Sequence, residues 1–266
     1  MTTRTDVRAG RTDFAQRVRT AQPSPISMPL THVTDAYSFR AIMEDEALIP
    51  SHCSIFGENL VYLFYGRPAY RSVAERESSA IDAYWPICFV MKPEVVAPKR
   101  IFPFDSGAFH HRLFDSVMYH RMIKEDFALD ADPGTPGKLL RLFWQDEKAY
   151  FNAHGAADFT PENFEFEAKA YLSLISDAGR APFDDRCSAI EIQTDAAVAL
   201  EGNTIAVITP TEFITPSLSE RIEKMGAVIL PYNVTRRQRP GEMVGLICDI
   251  VRDLLGGGRD GRVKCW

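Results

Sequence analysis

The stretch Leu60-Val61-Tyr62-Leu63-Phe64-Tyr65 is an unbroken apolar and aromatic run, and Gly66-Arg67-Pro68 stops it abruptly. Its length and side chains suit a strand buried on both faces. Gly tolerates backbone angles that other residues avoid, and Pro has no N–H to give to a ladder, so the chain must leave the sheet at this point. That fixes one interior strand with a sharp exit. The arginine at the exit carries a planar fork of donors that stays charged and matches a phosphate. Taken alone, the stretch reads better as a strand end followed by a surface arginine.

The 266 residues suffice for one large domain or two small ones, and 45% hydrophobic content supports a substantial core. A net charge of −6 argues against a protein that coats nucleic acid indiscriminately, while leaving room for a local basic groove. No apolar run approaches the roughly 18 residues that span a bilayer, so no membrane association is expected. Arg4, Arg8, Arg11, Arg17 and Arg19 are not followed by an apolar segment, so they do not read as a secretory signal. Cys53, Cys88, Cys187, Cys248 and Cys265 are odd in number and lack paired metal spacing. They read as reduced thiols of a cytoplasmic protein, most of them buried.

Along the chain, residues 1–27 read as a flexible arm outside the core, closed by Gln22-Pro23-Ser24-Pro25. Residues 28–255 read as a single α+β domain and 256–266, with Gly256-Gly257-Gly258, as a flexible tail. Thr31-His32-Val33-Thr34 is a short β-prone segment, and Asp35 can cap a helix carrying Phe39, Ile42 and Met43. Further strands are expected over 84–91, 187–194, 204–209 and 226–231. Helices are expected over 108–126, 138–150 and from Thr160-Pro161 through Ile175. A terminal amphipathic helix is expected over 241–255.

Three chemistry-bearing segments follow one another: Thr31-His32-Val33-Thr34, Phe64-Tyr65-Gly66-Arg67-Pro68, and Ser188-Ala189-Ile190-Glu191-Ile192-Gln193, a glutamate inside an apolar strand. Strand alternation puts Glu191 with Cys187, Ala189 and Gln193, a small-residue face that suits a cleft floor. Together they resemble the ADP-ribosyltransferase fold, most nearly its DarT-like branch, which modifies nucleic acid. The histidine strand with a following helix is similar to residues 31–49, and the aromatic strand running into an Arg-Ser-Pro turn is similar to Phe64 through Ala69. The family's Ala-Glu strand start resembles Ala189-Ile190-Glu191, with one residue inserted. The resemblance covers the first third of the chain and residues 186–210; residues 84–170 carry no matching motif.

The resemblance implies a split mixed sheet with flanking helices and transfer of ADP-ribose from NAD to a macromolecular acceptor, nucleic acid before protein. It implies a bacterial toxin or defence effector, with an antitoxin or other regulatory protein as a second partner. It assigns catalysis to Glu191 and Arg67. Glu191 would orient the acceptor or take its proton; Arg67 would meet the pyrophosphate or position the nicotinamide end. The NAD-binding positions it implies are His32, Thr34, Tyr62, Tyr65, Arg67 and Tyr70, with His32 on the adenosine-side ribose and Tyr62 or Tyr65 stacked on nicotinamide. No Gly-x-Gly-x-x-Gly follows a strand, so a Rossmann mode of binding NAD has no support.

The rival from a different class is a non-catalytic nucleotide- or partner-binding module, on the same fold or on an unrelated α+β fold. His110, His111 and His120 invite a metal, but adjacent or nine-apart histidines do not share a helix face, so no metal site is expected. Lys99, Arg100, Arg112, Arg121 and Lys124 form a basic stretch that reads as phosphate contact or as a solvated helix face.

Overall fold

The computed structural model describes residues 13–70, 81–154, 158–177, 185–235, 237–258 and 265. In chain order they form α1 (Phe14–Arg19), β1 (Leu30–Asp35), α2 (Ala36–Asp45), β2 (Ala47–Leu48), β3 (Ser51–Cys53), β4 (Glu58–Tyr65), β5 (Pro86–Met91) and β6 (Arg100–Phe102). The middle holds α3 (Ser106–His110), α4 (Thr135–Phe143), α5 (Glu147–Phe151) and α6 (Phe166–Ile175). The chain closes with β7 (Glu191–Thr194), β8 (Val198–Ala199), β9 (Thr204–Pro210), α7 (Pro216–Lys224), β10 (Val228–Tyr232) and α8 (Pro240–Leu255). This is a mixed α+β fold around a mixed sheet.

The main sheet has the order β10-β9-β5-β1-β4-β7-β6, with β3 added on β4. Neighbours are antiparallel except β9 and β10, which are parallel and joined across α7. The sheet has a seam. β1 pairs with β5 along its whole length, from Leu30↔Met91 to Asp35↔Pro86. It pairs with β4 only at Leu30↔Tyr65 and Thr31↔Phe64. Past Thr31 the two strands part, and the His32 imidazole bridges the gap, its Nδ1 lying 2.8 Å from the Tyr62 carbonyl oxygen.

Local chemistry explains the elements around the seam. The Asp35 carboxylate accepts from Ser38 N at 2.7 Å and starts α2, which ends at Glu46 in the left-handed conformation. Gly66 has φ 68°, and a Cβ there would lie 2.5 Å from Met28 Cε, so the exit from β4 requires glycine. Gly66 N donates to Pro29 O at 2.8 Å, tying the exit to the start of β1.

Several expectations are corrected. The arm over 1–27 is not outside the core where it is described: Phe14 and Val18 of α1 are buried, and Phe14 packs on Phe127, Phe143 and Tyr171. Arg17 pairs with Glu165 and Glu162, and Arg19 with Asp130. The tail over 256–266 returns to the body at Cys265, which is buried and donates its N–H to Leu255 O. The helix expected over 108–126 is confined to Ser106–His110, because Arg112 turns the chain with φ 62°. The helix over 138–150 is two helices, broken at extended Trp144 and restarted by the Asp146 cap. The Thr160-Pro161 start is displaced to Phe166, and the strand over 187–194 begins only at Glu191. Among the described residues no helix is long and apolar enough to cross a membrane.

Candidate active site

Glu191 opens β7 and stands between Phe64 of β4 and Phe102 of β6 in the ladder. Register and alternation put Tyr62, Phe64, Arg100, Phe102 and Gln193 on its face. The side chain is 1% exposed. Its Oε1 accepts from Ser106 Oγ and from Gln193 Nε2, both at 2.7 Å, and its Oε2 accepts from Ser106 N at 3.0 Å. Its hydrogen bonds come from neutral groups. Burial pushes the carboxyl up to about 8, and the negative charge of Asp105 adds to this. The Ser106 and Gln193 hydrogen bonds act in the opposite sense and do not overcome it.

Ser106 was not legible as a site residue. It begins α3, whose cap is Asp105, and Asp105 N donates to Arg186 O at 3.0 Å. That bond pins the start of α3 against the segment entering β7. The Asp-Ser-Gly turn signal was visible in the sequence; its partner lies 85 positions away and was not.

On the other side of the seam, the His32 pKa is lowered by burial, against the raising effect of the Tyr62 carbonyl. The ring is therefore neutral near pH 7. With Nδ1–H donating to Tyr62 O, Nε2 is left as an acceptor. Tyr62 is half-buried and donates its hydroxyl to Cys53 Sγ at 2.8 Å. Its pKa is raised by burial first, then by the Cys53 hydrogen bond and the Glu191 charge, which puts the phenol in the electrostatic reach of Glu191. Tyr62 and Glu191 thus share one face of the sheet, whereas His32, next to Thr31 opposite Phe64, turns to the other face, where it packs on Phe89.

No family model, curated protein or solved structure matches this chain.

The remaining expected residues are placed differently. Arg67 is 4% exposed, and its Nη1 donates to Tyr150 O at 2.9 Å. The Tyr150 hydroxyl donates to Tyr65 O and accepts from Ile190 N, the residue before Glu191. Tyr150, which the sequence did not single out, therefore fastens the Arg67 turn to the entry of β7. Tyr65 points away from the seam into the main core: its hydroxyl takes the Met28 N–H at 3.0 Å and donates to Ile26 O. That corrects its expected stacking role, since alternation puts it on the face opposite Tyr62. Thr34 is buried on β1, opposite Ile87. Tyr70 lies within the field of Asp35 and lines a cavity of about 350 Å³ with Pro68, Ala69 and residues of α8, Leu246 and Cys248 among them. Phe64, Ala69 and Ala189 form a small apolar cluster apart from the main core.

The basic stretch is largely paired. Lys99 binds Glu58 and Asp195, Arg100 binds Glu58, Arg112 binds Asp115, and Lys124 binds Glu125. Among the described residues no group of three His, Cys, Asp or Glu side chains is placed to hold a metal. His110 and His111 contact each other, whereas His120 packs on Tyr119. The resemblance would put acceptor selection in the segment before Glu191, over 176–186, most of which, 178–184, lies outside the described residues.

Proposed function

We propose that this protein is an ADP-ribosyltransferase that uses NAD as donor. The observation that carries the reading is the Glu191 carboxyl, buried at the start of β7 without a cationic partner among the described residues and oriented by Ser106 and Gln193. NAD would supply a glycosidic bond whose cleavage develops positive charge at the ribose C1′. Once ionised, above its raised value of about 8, the Glu191 carboxylate favours that charge and can take a proton from the attacking group. Tyr62 offers an aromatic face beside Glu191, while the His32 ring, on the other face, holds the Tyr62 carbonyl from across the parting of β1 and β4. Arg67 fits the turn more directly than a phosphate, because its guanidinium reaches Tyr150 O within the fold. Its part in the reading is to hold the Gly66 exit.

The acceptor in this reading is a macromolecule in the cytoplasm, nucleic acid before protein, with an inhibitory protein as regulator. The nucleic-acid choice rests on the resemblance: a cavity of about 250 Å³ beside α3 has Tyr119 and His120 on its wall, but its Arg112 and Lys124 are paired with Asp115 and Glu125 of the same wall.

The deciding experiment follows nicotinamide release from NAD by the wild type and by Glu191→Gln. Release should be lost in the variant while calorimetric affinity for NAD is kept. Binding without Glu191-dependent release would make the protein a nucleotide-binding module, and no binding would overturn the reading.

A further inference from the structure

The hydrogen bonds around Glu191 restrict which of its oxygens can act. A carboxylate offers about four acceptor directions, two on each oxygen. Oε1 has both filled, by Ser106 Oγ and Gln193 Nε2. Oε2 has one filled, by Ser106 N. We infer that Ser106 and Gln193 are positioning residues that leave Glu191 one open acceptor direction, on Oε2, and that this oxygen meets the substrate.

The arrangement is over-determined, as a positioning device needs to be. Gln193 Nε2 also donates to Ser106 Oγ at 3.3 Å, so Ser106, Gln193 and Oε1 close a triangle. The Gln193 amide cannot exchange its ends freely, because its Oε1 accepts from Arg100 Nη1 at 3.3 Å. Arg100 in turn is held by Glu58 and lies over the Phe56 ring, with its guanidinium carbon 4.8 Å from the ring centroid. Ser106 is fixed from the other side by the Asp105 cap and the Asp105 N to Arg186 O bond. The ionisable groups facing the site are Asp105 at the start of α3, Tyr62 on β4 with Cys53 of β3 on its hydroxyl, and Arg100 on β6 beyond Gln193.

The chemistry assigned to Oε2 rests on the NAD reading. As the C1′–nicotinamide bond breaks, nicotinamide leaves with the bonding pair. The acceptor's nucleophile forms the new bond to C1′, and its proton passes to Oε2. Both positioning residues donate to the carboxylate and favour its charged form, so deleting either raises the pH at which Glu191 ionises.

The test uses the full chain with ¹³C-labelled glutamate carboxyls, the Glu191 signal being the one absent from Glu191→Gln. Its titration is compared in wild type, Ser106→Ala, Gln193→Met and Ser106→Thr, alongside nicotinamide release. The midpoint should move upward in Ser106→Ala and Gln193→Met and return toward wild type in Ser106→Thr. In the first two, kcat should fall by up to roughly 100-fold with KM for NAD unchanged. That loss should disappear in a Glu191→Gln background. An unmoved midpoint in both variants would overturn the inference even if they fold normally, and two single deletions guard against one misfolding. If the wild type does not cleave NAD, the transferase reading fails while the titration still decides whether Ser106 and Gln193 hold Glu191.

Discussion

β5 and β7 are both interior strands with no exposed residue, yet they bury opposite things. β5 is Pro-Ile-Cys-Phe-Val-Met, and from Ile87 to Met91 every side chain is fully sealed. β7 is Glu-Ile-Gln-Thr, with a carboxylate and an amide as deeply covered as the apolar side chains of β5. The half-sheet β10-β9-β5-β1 gains stability from burial in the ordinary way. In the half-sheet β4-β7-β6, the cost of desolvating Glu191 and Gln193 is offset only in part by Ser106 and Arg100. A fold accepts such a conflict where chemistry needs it.

The comparison breaks most visibly at Phe89. Its ring is fully buried, with centroids 5.6 Å from Phe39 and 6.4 Å from His32. Phe89→Ala should cost about 3–5 kcal/mol in urea unfolding, the range for a buried aromatic replaced by a cavity.

Glu191→Gln should instead change the pH dependence of stability. A carboxyl raised from 4.5 to about 8 by folding keeps its proton longer in the folded chain than in the unfolded one. The unfolded chain therefore binds fewer protons between those values, and wild-type stability falls as pH rises from 4.5 to about 8, then levels. The fall should be on the order of a few kcal/mol. Denaturant midpoints collected at pH 5 and pH 8 should show it in wild type and lose it in Glu191→Gln. An identical slope in both would mean that the two half-sheets do not differ in this respect.

How much of this was legible in the sequence divides along the same line. β1, β4, α2 and α8 were readable because their signals are local: apolar runs, the Asp35 cap, and the stripe from Met243 to Leu254. The partners of Glu191 were not, since Ser106 sits 85 positions away and no short-range pattern links them. The same applies to α1. Its arginines looked like a solvated arm, whereas Arg17 meets Glu165 from 148 positions away. The segment after α3 has helix-like spacing, but Phe104, Phe109, Phe114 and Phe127 all join one aromatic cluster, which folds the chain back on itself.

At the junction of the half-sheets, Gly66→Ala should cost about 1–3 kcal/mol. It combines a left-handed backbone angle with a contact against buried Met28. Thermal unfolding checks it, and a neutral outcome would mean that the seam tolerates a shift of the β4 exit.

The smallest expected effect tests the seam most directly. His32 supplies across it the hydrogen bond that a paired strand would otherwise supply, so His32→Leu leaves the Tyr62 carbonyl without it, at a net cost of about 1 kcal/mol. The pH dependence carries more information than the cost. Folding lowers the His32 pKa from 6.5, so its contribution is complete above 6.5 and is lost as pH falls through the folded value. The Glu191 contribution runs the other way, weakening as pH rises from 4.5 to about 8. The two slopes oppose each other in the interval that both cover. Denaturant midpoints across that interval should therefore fall more steeply with rising pH in His32→Leu than in wild type. They should rise with pH in Glu191→Gln. If the double variant instead keeps either slope, the group responsible is neither His32 nor Glu191, and the contrast between the two half-sheets loses its electrostatic basis.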